Sequence, residues 1–160
     1  MNIFFSMEKE LDDVDLAILR ALKADARLSV RELAAKVHRS PTPVFERMRR
    51  MESEGVIKSY SAVIDMEKLG RGFMVFCNVS LKHINTSIHV DFARMINEMD
   101  EVVECYNVSG SFDYMLKVQV PDMKAYRRFV TDKLGNIDIL DSVHSVFVME
   151  VVKQDNSILV

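Results

Sequence analysis

Two helix-start signals, at Ser29 and Ser40, stand so close together that only a short helix and a tight turn fit between them. Ser29-Val30-Arg31-Glu32 has capping-box spacing, in which the Ser hydroxyl and the Glu carboxylate each satisfy a backbone group that the first helical turn leaves free. Leu28 and Leu33 occupy the staple positions that fix the entering chain. Leu33, Ala34 and Val37 then face inward, and the break at His38-Arg39-Ser40 is very short. Ser40-Pro41-Thr42-Pro43 restarts a helix with a Ser cap and with prolines in the first turn, where a missing amide does no harm. Ahead of this pair, Asp12 or Asp13 caps a helix with Leu11, Val14, Ile18, Leu19 and Leu22 at helical spacing, ending near Ala24-Asp25. Two short helices joined by so tight a turn make a helix-turn-helix, here over about residues 30–50.

The third helix, about Pro41 to Glu54, segregates its residues by chemistry. Val44, Met48 and Met51 fall within one narrow arc, while Thr42, Glu46, Arg49 and Arg50 gather opposite. A helix that enters the major groove needs short residues at its tip, polar side chains to read base edges, and cations against phosphates. The candidate DNA-contacting residues are therefore Arg39, Ser40, Thr42, Pro43, Glu46, Arg47, Arg49 and Arg50. Arg47 lies at the margin of the apolar arc, with two partners open to it, a phosphate or an acid of the first helix. The plainer reading makes these arginines the solvated face of an exposed helix, paired with Glu46 and Glu52. Gly55 stops the helix, and Val56-Ile57-Lys58 and Ala62-Val63-Ile64 flank a polar turn, the pattern of a small winged-helix-like hairpin.

Charge follows the same division. The whole chain carries a net −3, yet from Arg27 to Ile64 eight Lys and Arg stand against four Asp and Glu, a local +4. From Asp65 onward ten bases meet fourteen acids, a local −4. A basic segment between acidic flanks suits a two-part molecule, one end of which meets a polyanion. No apolar run reaches the length of a membrane span, and the first residues lack the pattern of a secretory leader, so a cytoplasmic, nucleoid-associated protein is expected. Cys77 and Cys105 sit in apolar runs without ligand spacing, which leaves no disulfide, metal or cofactor to expect.

Beyond Gly70 and Gly72 the periodicity changes. Phe73, Val75, Cys77, Val79 and Leu81 alternate with Met74, Phe76, Asn78 and Ser80 as in a strand. Ile88, Phe92, Met95, Ile96 and Met99 mark a helix; Val103 to Ser109 and Tyr114 to Val120 mark two strands around a Gly110-Ser111-Phe112-Asp113 turn. Met123, Tyr126, Phe129, Val130 and Leu134 mark a second helix, and Val143 to Val152 a long last strand. This βαββαβ order predicts a ferredoxin-like antiparallel sheet with both helices on one face. The fold class is thus α+β, with an extension at 1–9, a DNA-binding domain at 10–65, a hinge at 66–72, a ferredoxin-like domain at 73–153 and a tail at 154–160. Whichever strand face points inward, Phe, Val, Met or Tyr remains outside, so a second copy is expected to cover the sheet.

At this point the residues resemble a known family over nearly the whole chain from Leu11. Leu11-Asp12 through Asp15, Ser40-Pro41-Thr42-Pro43, Glu46-Arg47, Arg49-Arg50, Gly55-Val56-Ile57 and Tyr60-Ser61-Ala62 carry the likeness in the first domain. Val108-Ser109-Gly110, Phe112-Asp113-Tyr114, Pro121-Asp122-Met123 and Val148-Met149-Glu150 carry it in the second. The chain is similar to the Lrp/AsnC (feast/famine) transcription regulators. That resemblance implies a DNA-binding regulator whose dimers assemble into tetramers or octamers and which binds an amino-acid effector, leucine or another apolar one, between subunits. The matching effector positions are Val108, Ser109, Gly110, Asp113, Tyr114, Met123, Val146 and Val148. A free amino acid presents an ammonium that suits the Asp113 carboxylate and a carboxylate that suits amides exposed around Gly110. The plainer alternative makes Gly-x-x-Asp an ordinary turn, with Gly for positive φ and Asp bonded to the backbone.

Catalysis finds no support, because His38, His83, His89 and His144 are scattered and neither a nucleophile triad nor a phosphate loop occurs. An effector-independent DNA-packaging protein would use the same basic helix and the same oligomer, and only amino-acid binding separates it from a regulator.

Overall fold

The protein is described by a computed structural model covering residues 11–153 except residue 84; the expected extension at 1–9 and tail at 154–160 lie outside the described residues. The described chain divides into two compact units, one comprising the residues up to Val63 together with Lys153 and the other running from Ile64 to Val152.

The first unit holds α1 (Asp13–Ala24), α2 (Val30–Lys36) and α3 (Pro41–Ser53). Capping boxes open the first two helices. Asp12 and Asp15 exchange bonds at α1, and Ser29 and Glu32 do so at α2. Ile18, Leu22, Leu33, Ala34, Val44 and Met51 form the core, with Leu28, Val37, Met48 and Ile57 packed around it. At seven residues α2 is too short to persist alone, so its cap and the burial of Leu33 and Ala34 hold it. The turn to α3 passes through His38 at φ 53°, a left-handed conformation that histidine tolerates better than most residues.

Two expectations for this unit are corrected. Ser40 takes the extended cap conformation, but its side chain makes no cap hydrogen bond. Pro43 at the third helical position has no amide to offer it. Residues 56–64 form no strand. Without Gly or Asn in Ser59-Tyr60-Ser61 the chain lacks a tight hairpin turn, and the segment is instead pinned by Ile57 N–H to the Met51 carbonyl and by Tyr60 Oη donating to Glu52 at 2.9 Å.

The second unit is a four-stranded antiparallel sheet in the order β2-β3-β1-β4, with β1 (Phe73–Leu81), β2 (Val102–Asn107), β3 (Tyr114–Val120) and β4 (Leu140–Phe147). This is the expected split arrangement. Helix α4 (Thr86–Asn97) follows β1, and α5 (Met123–Arg128) follows β3 and continues through a π-helical turn (Phe129–Lys133) into a 3-10 turn (Leu134–Asn136). Val75, Cys77 and Val79 of β1 and Leu116, Val118 and Val120 of β3 pack with Phe92, Ile96, Tyr126, Phe129 and Leu134 of the helical layer in one core. By the alternation of strand residues, Met74, Phe76, Asn78, Met115, Lys117, His144 and Val146 share the opposite face.

Two strands differ from expectation. The last strand spans Leu140–Phe147, where Val143 to Val152 was expected. β1 begins at Phe73, so the ladder runs out: Val148 N–H to the Met74 carbonyl is its last bond, and Met149 beyond it is 95% exposed. β2 ends at Asn107, short of Ser109, because Val108 N–H turns to the Asp113 carbonyl and closes the loop. The segment expected as a hinge is itself folded, with Gly70 N–H bonded to Glu67 and Arg71 N–H to Met66.

Candidate nucleic-acid interface and effector loop

Among the described residues of the first unit, Asp15 is the buried polar one, at 1% exposure. Its carboxylate receives Arg47 Nη1 at 2.8 Å and Arg50 Nη2 at 2.5 Å, and also takes the Asp12 amide at 3.1 Å. Arg47 reaches Asp12 as well, at 2.7 Å. Burial pushes the Asp15 carboxyl up, but the hydrogen bonds from Arg47, the Asp12 amide and Arg50 outweigh it and hold the group below its ordinary value. Asp12 is lowered by the Asp15 amide and by Arg47. Arg47 thus takes the acid of the first helix, one of the two partners its position left open. Arg50, expected on the outward polar face, is half-buried against Asp15 and lies 3.8 Å from Glu54. Two of the eight cations in the basic segment are therefore paired inside the unit.

The rest of the set stays outside. Arg39, Ser40, Thr42, Pro43, Glu46 and Arg49 are exposed. Arg39 donates to the His38 carbonyl at 3.0 Å, and Ser40 retains a free hydroxyl at the start of α3. Thr42, Glu46 and Arg49 follow one another on one side of the helix, a surface with one donor and acceptor hydroxyl, one carboxylate and one guanidinium. Phe45, absent from the sequence-based set, is exposed beside them, and Arg49 Cζ stands 5.9 Å from its ring centroid. The periodicity contained the signal for Phe45, because Val44, Met48 and Met51 already fill the inward arc.

In the second unit the loop after β2 is held from several sides. Gly110 has φ 121°, where any side chain would be strained. Asp113 Oδ2 accepts the Leu81 amide at 2.7 Å, Asp113 N–H donates to the Val79 carbonyl, and the Asp113 carbonyl takes both Val108 N–H and Asn107 Nδ2. One carboxylate oxygen of Asp113 therefore anchors the loop to β1. The Tyr114 side chain, expected to face an effector, is in the core: it packs on Phe92 and its hydroxyl lies 2.6 Å from His89 Nδ1. Even-numbered residues of β3 point to the helical layer, which a strand-end reading of Tyr114 overlooked. Ser109 and Gly110 are exposed and Val108 half-buried. Phe112 of the loop lies near His144 in the middle of β4, with 5.1 Å between the tilted rings' centroids, while exposed Val146 is two residues further along β4, opposite Phe76 and away from the loop. Val148 is half-buried just past β4, and Met123 is exposed at the start of α5. Among the described residues no hydrogen bond or ring contact joins Met123 to the loop.

Among the described residues no three His, Cys, Asp or Glu side chains group to hold a metal, and no helix is long and apolar enough to cross a membrane.

The sequence pattern of a winged helix-turn-helix DNA-binding domain matches residues 11–58, and that of the Lrp/AsnC ligand binding domain matches residues 74–158. The chain is 38% identical over 152 residues to the leucine-responsive regulatory protein of Escherichia coli K12, covering 95% of this chain and 93% of that one. Among solved structures it resembles the transcriptional regulator NMB0573 of Neisseria meningitidis, in its complex with L-Met, with TM-score 0.88, 31% identity and coverage of 93% and 96%. An AsnC family transcriptional regulator from Agrobacterium tumefaciens gives TM-score 0.87, 36% identity and coverage of 92% and 95%.

The Asp15 cluster has a definite pH signature. A carboxyl whose folded pKa is depressed contributes stability above its unfolded value, near ~3.9, and loses it as pH falls through the folded value. Asp15→Asn should lower the stability of the first unit by about 2–3 kcal/mol at pH 7, less than a fully enclosed pair because both guanidiniums can reach water. Amide exchange at Ile18 and Val44 should show this loss at pH 7, and the gap between variant and parent should narrow as the pH falls below the ordinary carboxylate range and through the lowered folded value of Asp15.

Proposed function

Since the chain belongs to the Lrp/AsnC family of transcription regulators, we propose that α3 is its DNA-reading helix and that an amino acid binds at the loop 108–113. The observation that carries the first part is the exposed stripe of Thr42, Glu46 and Arg49 on a helix whose rotation is locked by Arg47 and Arg50. Thr42 and Glu46 suit base edges, Glu46 by accepting from a cytosine amino group. Arg49, Arg39 and the free Ser40 hydroxyl suit guanine or phosphate. Arg47 and Arg50 act first as positioning residues, with any contact to phosphate made by the donors that Asp15 and Asp12 leave unused.

The second part draws on the open loop at Gly110 and on the partly free Asp113 carboxylate, with Val108 and Ser109 in the same loop; Val146 and Val148 lie opposite Phe76 and Met74, toward the other end of β1, and would reach the site only from another copy. Met123 would complete the site from another copy, consistent with its separation from the loop within one chain. The effector is an apolar amino acid, a reading favoured by methionine in the NMB0573 complex and by the apolar character of Val108, Val146 and Met123. The sheet face bearing Met74, Phe76, Met115 and Val146 is the surface on which two copies pair, and dimers then assemble into tetramers or octamers. The chain passes from the reading unit into the sensing unit ahead of the folded segment 66–72, and the protein works in the cytoplasm on chromosomal DNA. As a family of regulators the assignment leaves no catalytic role to fill.

Three outcomes are expected. Arg49→Ala should weaken DNA binding and reduce the steepness of log K against log salt by about one, measured by fluorescence anisotropy across a salt series; an unchanged slope would remove Arg49 from the interface. Calorimetry with each of the twenty amino acids should show binding of one or more apolar ones, which Gly110→Ala abolishes because alanine at φ 121° costs about 1–3 kcal/mol and distorts the loop. Absence of any binding, with DNA affinity indifferent to amino acids, would instead support a packaging role. Phe76→Asp should reduce the mass in sedimentation to that of a monomer, since a buried unpaired charge is incompatible with the paired face.

A further inference from the structure

One side chain on the outer side of α3 does not match its neighbours. Thr42, Glu46 and Arg49 are polar, whereas Phe45, at the edge of the same stripe and one turn before Arg49, is a large ring left 46% exposed. The core does not use it: Val44, Met48 and Met51 supply the inward contacts of this helix, and Phe45 is outside that cluster. Nor is it loose. The Arg49 guanidinium carbon stands 5.9 Å from the ring centroid, within the range at which a cation is attracted to an aromatic face. That contact orients the ring and leaves much of it open.

A major groove presents donors, acceptors and one apolar group, the C5-methyl of thymine. A ring with only two side-chain torsions, oriented by a neighbour and carried beside base-reading residues, is suited to that methyl. We propose that Phe45 is a specificity-determining residue that packs on a thymine methyl group in each half-site, with Arg49 as the residue that positions the ring. The proposal rests on the reading of α3 as the helix that enters the groove. It adds that apolar contact, beside hydrogen bonding, selects the base at one position.

The test uses the full-length chain and duplexes it retains from a random-sequence DNA pool. Each thymine of a retained duplex is replaced in turn by 2′-deoxyuridine, which pairs identically and lacks the methyl. The parent chain should lose about fourfold in affinity at one position per half-site, the change expected for removing one methyl from an apolar contact. Phe45→Ala should bind the thymine duplex more weakly and should bind the thymine and deoxyuridine duplexes equally. Circular dichroism and sedimentation should be unchanged in this variant, because the ring is outside the core. Failure to retain any DNA would overturn the groove-reading assignment and this proposal with it. Retention of DNA with no sensitivity to deoxyuridine overturns the role of Phe45 alone. Equal sensitivity in parent and variant assigns the methyl to another group and also overturns it. A lower mass for Phe45→Ala would make the ring a contact between copies and overturns it as well.

Discussion

A carboxylate taken almost wholly out of water must find cations or change its charge, and Asp15 finds two on the same neighbouring helix. Arg47 and Arg50 are three positions apart on α3, so satisfying both fixes the helix in rotation as well as in distance. Apolar packing through Val44 and Met51 is less directional and would tolerate some turning about the helix axis. The demand of α1 for counter-charge therefore determines which residues of α3 face outward. It also makes the exposed surface less basic than the composition implies, since two cations are consumed internally.

In the second unit the corresponding constraint is the alternation of β1 and β3. One set of residues packs on the helices, and the other, with Met74, Phe76 and Met115 beside the Lys117–Glu104 ion pair, makes a mixed surface. The loop 108–113 is fastened to the central strand through the Val79 carbonyl and the Leu81 amide. Strain introduced at the loop reaches β1 directly. The strand it reaches forms the middle of that surface, so the loop and the exposed sheet face share one structural member.

What was legible in the sequence was whatever depends on local chemistry. The cap at Asp12 or Asp13, the capping box at Ser29, prolines at 41 and 43, and the alternating run in β1 placed their elements because caps and period-two burial are satisfied within a few residues. What failed to show depended on distant partners. Arg50 looked outward on a helical wheel, since its attraction to a buried carboxylate 35 positions away leaves no periodic trace. The end of β4 followed from where β1 begins, and the missing hairpin from the bonds that tie Ile57 and Tyr60 back to Met51 and Glu52 of α3. Tyr114 entered the effector set with the loop that the family resemblance marked, although the parity of β3 already directed its side chain to the helices.

The strand order has a consequence for how the molecule is made. β1 is central, yet both strands that flank it, β3 and β4, are synthesised later, and Val75 must wait for Phe147. During translation the three helices of the first unit can settle from nearby contacts while β1 is still without a neighbour on either edge. β3 closes one edge first, and the unpaired amides and carbonyls of the other edge remain a template for any passing strand until β4 has been delivered. Premature termination within β4 would therefore release a finished helical head attached to an aggregation-prone sheet, a fault confined to one half of the molecule.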